Sequence, residues 1–146
     1  MTPSKLEDQL CFAIYSAEHA FSRAYKPMLD DLGITYPQYL VLMVLWAQDD
    51  LTVNGIGQKL LLESSTLTPL LKRLEAQGLI SRVRHKADER QVRVQLTAAG
   101  KKLAQSARDI PKCMLKATGL TAEALVRLKR EIEAVRDNLI ASREQM

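Results

Sequence analysis

Apolar residues recur at steps of three and four over residues 4–30. Leu6, Leu10, Ile14, Ala17, Phe21, Ala24 and Met28 mark one face of a long helix. Ser4 with Glu7 predicts a capping box at its start. The stretch "DDLGITYPQ" ends it, with Gly33 as the stop and Thr35 or Tyr36 ahead of Pro37 as the next start. The second helix, over 37–47, is apolar nearly all round and is expected to be buried. A short third helix over 53–61 follows Thr52. The fourth lies within "ESSTLTPLLKRLEAQGL", where Leu67, Leu70, Leu71 and Leu74 give an i, i+3, i+4, i+7 stripe. Pro69 falls near its first turn, where a missing N–H costs little, and Gly78 ends it.

The period then switches. "LISRVRHKADERQVRVQLT" alternates, most clearly at Val92, Val94 and Leu96, around a polar tip at residues 85–90, which predicts a β-hairpin. Two helices close the chain, one from Thr97 to about Thr118, kinked near Pro111, and one from the Thr121 cap to about Arg143. Leu125, Leu128, Ile132, Val135 and Leu139 repeat at 3-4-3-4 along the last, a coiled-coil-like seam. The expected fold is mainly α with a small β-hairpin wing, in a single domain over 1–146.

Composition narrows the class. The 146 residues suit one domain with a real core, and 47% hydrophobic with 26% charged reads as soluble and globular. The longest apolar run, "YLVLMVLWA", is far short of a membrane span, and no basic region followed by an apolar stretch marks a secretory signal. Two cysteines without framework spacing suggest a reducing cytoplasm, where a disulfide is regulatory rather than structural. Two separated His and two separated Cys offer no metal cluster, and no cofactor is expected.

Charge changes the picture more. The net charge is +4, and residues 72–93 hold seven basic residues, Lys72, Arg73, Arg82, Arg84, Lys86, Arg90 and Arg93, against Glu75, Asp88 and Glu89. That stretch carries the excess of the whole chain. A solvated surface is the plain explanation; a footprint for phosphate is the sharper one.

Two short helices, a tight break at 62–65 and a basic β-hairpin follow the order of a winged helix-turn-helix over about 35–100. In that motif the N-terminal residues of the second helix face base edges in the major groove. With the leucines inward, Ser65, Thr66, Thr68, Lys72 and Arg73 face outward, and Ser64 and Pro69 join them at the helix start. Hydroxyls can bond bases and phosphates, and the cations can neutralise phosphate. On the hairpin, Arg84, Lys86, Asp88 and Arg90 are the candidate groove contacts, a charged tip suited to a narrow minor groove.

These residues also carry a likeness. "DERQVRVQLTAAG" (88–100) resembles the wing signature of the MarR family of repressors, with Asp88, Arg90, Leu96, Thr97 and Gly100 at its spacing. "SSTLTPLLKRLEAQGLI", "YPQYLVLMVLW" and "LCFAIYSA" resemble its organic-hydroperoxide branch, the OhrR-type repressors. The likeness covers residues 6–100 and is architectural beyond. It implies a homodimer on a pseudo-palindromic DNA operator, with terminal helices of about 4–30 and 98–144 interlocked.

Cys11, Tyr15 and Tyr25 share one helix face, the tyrosines each about 40° from the cysteine. Yet the fourteen-residue step from Cys11 to Tyr25 rises about 21 Å, so along one helix they cannot touch. By itself the spacing fits a buried core cysteine better than a reactive one. The resemblance implies more: Tyr25 and Tyr36 of one subunit donate hydrogen bonds to the Cys11 thiolate of the other, with Tyr15 nearby. A hydrogen-bonded thiolate is the form that attacks a peroxide. In two-cysteine members of the branch a thiol in the region of Cys113 then resolves the oxidised cysteine as an intersubunit disulfide. His19 reads as packing or surface and His85 as a wing residue. Two other functions compete: a MarR-type repressor released by a small aromatic ligand in the dimer cleft, and a thiol peroxidase using Cys11 and Cys113. The enzyme leaves the basic wing unexplained.

Overall fold

The computed structural model describes residues 4–84, 87 and 91–145, so His85, Lys86, Asp88 and Arg90 lie outside the described residues. The chain divides into two compact units, one through Arg108 and one from Asp109 onward.

The first unit opens with a 3-10 turn at Leu6–Asp8, and helix α1 runs Leu10–Leu32. The expected capping box at Ser4 and Glu7 does not form: Gln9, in extended geometry, precedes the helix without any side-chain cap. The short 3-10 turn ends in that extended residue, so the helix starts later than its apolar period suggests. Gly33 closes α1 at φ 72, a left-handed conformation that glycine adopts without steric cost. Helix α2, Tyr36–Ala47, starts in a full capping box: Gln38 N–H donates to Thr35 Oγ1, and Thr35 N–H donates to Gln38 Oε1. The helix is largely buried as expected, with Pro37, Met43 and Ala47 exposed.

A two-residue strand β1 (Leu51–Thr52) leads into α3 (Val53–Leu60), capped by Thr52 Oγ1, which accepts from Gly55 N–H. Helix α4 (Ser64–Ala76) buries Leu67, Leu71 and Leu74, with Leu70 half-buried on the same stripe. Strands β2 (Ile80–Arg84) and β3 (Val92–Leu96) pair antiparallel as the alternation predicts. The sheet has a third member that the alternation does not reveal, since β1 pairs with β3 to give the order β1-β3-β2. Val94 therefore sits in the central strand, opposite Leu51 on one side and Arg82 on the other, and is fully buried.

Helix α5 (Ala98–Ala107) starts at Thr97, whose Oγ1 accepts from Gly100 N–H and donates to Gly78 O. A β-carbon on Gly100 would lie 2.1 Å from the backbone oxygen of Leu79, so the end of α4, the root of the wing and the start of α5 meet at a point only glycine allows. Trp46 of α2 donates its indole N–H to Gly100 O at 2.9 Å, tying the same point to the core.

The second unit contains α6 (Ile110–Thr118) and α7 (Ala122–Gln145). Residues 97–118 thus form two helices where the sequence suggests one kinked helix; Pro111 stands in the first turn of the second, where it starts a helix more readily than it bends one. Thr121 Oγ1 accepts from Ala124 N–H and caps α7 as expected. No described helix is long and apolar enough to cross a membrane.

Gly100→Ala forces a β-carbon into the Leu79 carbonyl and is expected to destabilise the first unit by roughly 2–4 kcal/mol. Urea unfolding of the variant against the wild type measures it.

Candidate functional site

Three tyrosines and the tryptophan meet in the first unit. The rings of Tyr25, on α1, and Tyr36, at the start of α2, lie 4.8 Å apart between centroids. Tyr39, buried one turn further along α2, packs 6.0 Å from Tyr25 and 6.4 Å from Tyr36. Trp46 stands edge-on to Tyr39 at 6.1 Å. The capping box at Thr35 and Gln38 fixes the turn that presents Tyr36, and buried Gln38 extends the link by donating to Gln77 Oε1 at 2.8 Å. Gln77 in turn donates to Gly33 O, so the α1–α2 corner is bonded to the end of α4.

Burial sets the electrostatics of the cluster. The Tyr25 hydroxyl is pushed up to about 12, first by desolvation and then by Tyr36 and Tyr39. Burial, then the nearby Glu18 carboxylate, raises Tyr36; burial, then Tyr36, raises Tyr39. All three stay protonated donors far above neutral pH. Among the described residues neither the Tyr25 nor the Tyr36 hydroxyl has a hydrogen-bond partner. The pair is a set of donors without an acceptor.

Cys11 is an exposed free thiol in the first turn of α1, fourteen residues before Tyr25 on the same unbroken helix. Within one chain the thiol and the phenols are not brought together. Tyr15 is exposed too and stacks edge-on against His19, with centroids 4.5 Å apart. Cys113 is an exposed free thiol on α6 of the second unit.

The helix-turn-helix face is equally plain. Ser64, Ser65, Thr66, Pro69, Lys72 and Arg73 are exposed along α4, while half-buried Thr68 turns its hydroxyl back to Ser64 O at 2.8 Å. Arg84 is exposed at the end of β2. Thr52, Asn54, Ser64, Thr68, Arg82 and Gln91 line a cavity of about 310 Å³ between α3, α4 and the wing root. Two ion pairs orient the wing. Glu75 of α4 accepts from the backbone N–H, Nε and Nη2 of Arg82, and that side-chain bond to Arg82 holds its carboxyl below the ordinary range. Arg93 donates from Nε to Asp50 Oδ1 and from Nη2 to Asp50 O. Arg82 and Arg93, counted in the basic stretch, thus serve the wing's own structure. Sequence reasoning passed over Tyr39 and Trp46; the three-residue step from Tyr36 to Tyr39 is the signal that places two rings on one side of α2.

Because the unfolded tyrosine ionises near 10, stability is flat below that pH and falls as pH rises toward 12, where folding must hold Tyr25 protonated. Tyr25→Phe is expected to lessen that alkaline loss, seen as a smaller drop in melting temperature between pH 9 and 11 (roughly the span where a free phenol titrates).

The model of the family of transcriptional regulators SarA/Rot matches residues 23–107. Over 135 residues the chain is 47% identical to the organic hydroperoxide resistance transcriptional regulator of Bacillus subtilis, covering 92% of each. Reduced AbfR of Staphylococcus epidermidis bound to DNA is 37% identical and superposes with a TM-score of 0.79, over 92% of this chain and 94% of that one. The disulfide form of AbfR is 38% identical with a TM-score of 0.67, over 93% and 92% of the two chains.

Proposed function

Since the chain belongs to the SarA/Rot family of MarR-like winged-helix transcriptional regulators, we propose that it is a cytoplasmic repressor released from DNA by organic hydroperoxide. It binds a pseudo-palindromic operator as a homodimer, with Ser64, Ser65, Thr66, Thr68, Pro69, Lys72 and Arg73 of α4 at the major groove. Arg84, with Lys86, Asp88 and Arg90 of the wing, adds contacts at the flanking groove. The DNA-bound AbfR supports this placement of a winged helix related by sequence.

One observation carries the redox half: paired, protonated phenols at Tyr25 and Tyr36 that have no partner among the described residues, on a chain whose Cys11 is too far along the same helix to use them. A twofold partner running antiparallel along α1 supplies what one chain lacks. Leu10, Ile14 and Phe21 of α1 are exposed, as are Leu128, Ile132 and Leu139 of α7, and such apolar faces suit burial in a dimer. Tyr25 and Tyr36 then donate to the Cys11 thiolate of the other subunit, with Tyr15 beside it.

The chemistry balances without a cofactor. The thiolate sulfur attacks one peroxide oxygen, an S–O bond forms as the O–O bond breaks, and the alkoxide leaves as the alcohol after taking a proton. The resulting sulfenic acid is larger than the thiolate and cannot keep both phenol hydrogen bonds in a packed site. Cys113 of the other subunit then attacks the Cys11 sulfur, displaces water and leaves a disulfide. The disulfide form of AbfR supports such a step in a relative. The switch is stoichiometric: one oxidation, one release, no turnover.

Cys11→Ser is expected to bind operator DNA like the wild type and to stay bound when cumene hydroperoxide is added. Cys113→Ser should still respond, without a linked dimer on non-reducing gels. Release of Cys11→Ser by hydroperoxide in a gel-shift titration would overturn the thiol switch and favour a ligand-gated repressor. Lys72→Ala should weaken all duplexes alike and lower the salt slope by about one.

A further inference from the structure

Two described residues other than glycine hold φ in the left-handed region, Asp50 at 59° and Leu61 at 57°. Asp50 is held there by hydrogen bonds: its Oδ1 accepts from Arg93 Nε at 2.8 Å and from Gln95 Nε2 at 3.2 Å. At Leu61 the backbone N–H donates to Gly57 O, but no side-chain hydrogen bond holds the conformation. It caps the C-terminus of α3, and its side chain is 59% exposed.

The geometry at Leu61 is imposed by the turn. Leu62 N–H donates to Gly57 O at 2.9 Å, and a β-carbon on buried Gly57 would stand 2.7 Å from Leu62 O. The chain must reverse tightly there, and a left-handed cap follows. Glycine or asparagine adopts that cap at least cost, whereas a γ-branched leucine meets the following carbonyl. Strain kept at an exposed apolar residue, with no burial in return, points to a use outside the folded chain.

Its position says which use. Leu61 lies three residues before Ser64, the first residue of α4, and borders a shallow cavity of about 600 Å³ with Asn54, Gln58, Leu62 and Ser64. The turn leads directly into the helix end that meets base edges in this motif. The exposed Leu61 side chain offers apolar contact alone, so the DNA surface that matches it is apolar.

We propose that Leu61 is a DNA-contact residue, packing against an apolar edge of the operator, a deoxyribose or a thymine methyl, beside the N-terminus of α4. The proposal rests on the DNA-binding function above and extends its footprint from α4 to the turn.

The test uses the full-length protein and an operator selected from random-sequence duplexes. Leu61→Gly and Leu61→Asn should melt at or above the wild-type temperature, yet bind the operator about 5- to 20-fold more weakly, the scale of one lost contact. Leu61→Met, which keeps an apolar side chain, should recover most of that loss. Deoxyuridine in place of thymine separates the two edges: wild-type binding weakens if the methyl is touched and holds if the sugar is. Glycine and asparagine variants that bind as tightly as the wild type overturn the proposal while leaving DNA binding intact. So do variants that melt markedly lower, since Leu61 then serves the fold. Failure of the wild type to select any duplex overturns the DNA-binding reading itself.

Discussion

The close approach of the Leu79 carbonyl to Gly100 is the contact on which the winged unit depends. Three elements converge there: the end of α4, the root of the wing and the start of α5, joined by Thr97, which bonds Gly78 on one side and Gly100 on the other. Trp46 reaches the same backbone from α2. Beyond Trp46 the rings continue through Tyr39 to Tyr36 and Tyr25. Donors at the α1–α2 corner and the root of the wing are thereby parts of one packed body. A displacement of Tyr36 has a contiguous route of packed rings to the backbone that sets the wing's direction. The Gln38–Gln77 bond gives a second connection, from the same corner to the end of α4.

Much of this was legible in the sequence because its elements are locally encoded. The leucine stripe of α4, the cap at Thr121, the stop at Gly78 and the alternation through Val92, Val94 and Leu96 each follow from a period or a cap. What was not legible is non-local or too short to have a period. Strand β1 is two residues long and exists because β3 has a free edge for it. The start of α1 moved from Ser4 to Leu10 because a 3-10 turn competes with the capping box, and Pro111 proved to begin a helix rather than bend one. The roles of Arg82 and Arg93 depend on partners seven and forty-three residues away, which composition cannot pair.

The candidate site was legible in its parts and not in its assembly. The helix wheel puts Cys11 and Tyr25 on one face, and the intact helix α1 keeps them apart along its axis. Tyr36 joins Tyr25 through the turn after Gly33, a tertiary contact that spacing does not encode. The phenols stay protonated because packing desolvates them, and among the described residues they have no acceptor. On this account dimerisation completes the site, and oxidation at the interface reaches both winged units together.

A mixed dimer tests that account most directly. One subunit carries Cys11→Ser with its tyrosines intact; the other carries Tyr25→Phe and Tyr36→Phe with Cys11 intact. If the phenols act across the interface, this heterodimer contains one complete site, and its single Cys11 should form a sulfenic acid, trapped by a dimedone probe, at the wild-type rate. If that Cys11 instead reacts as slowly as in the Tyr25→Phe/Tyr36→Phe homodimer, the phenols do not serve the partner's thiol, and the account fails.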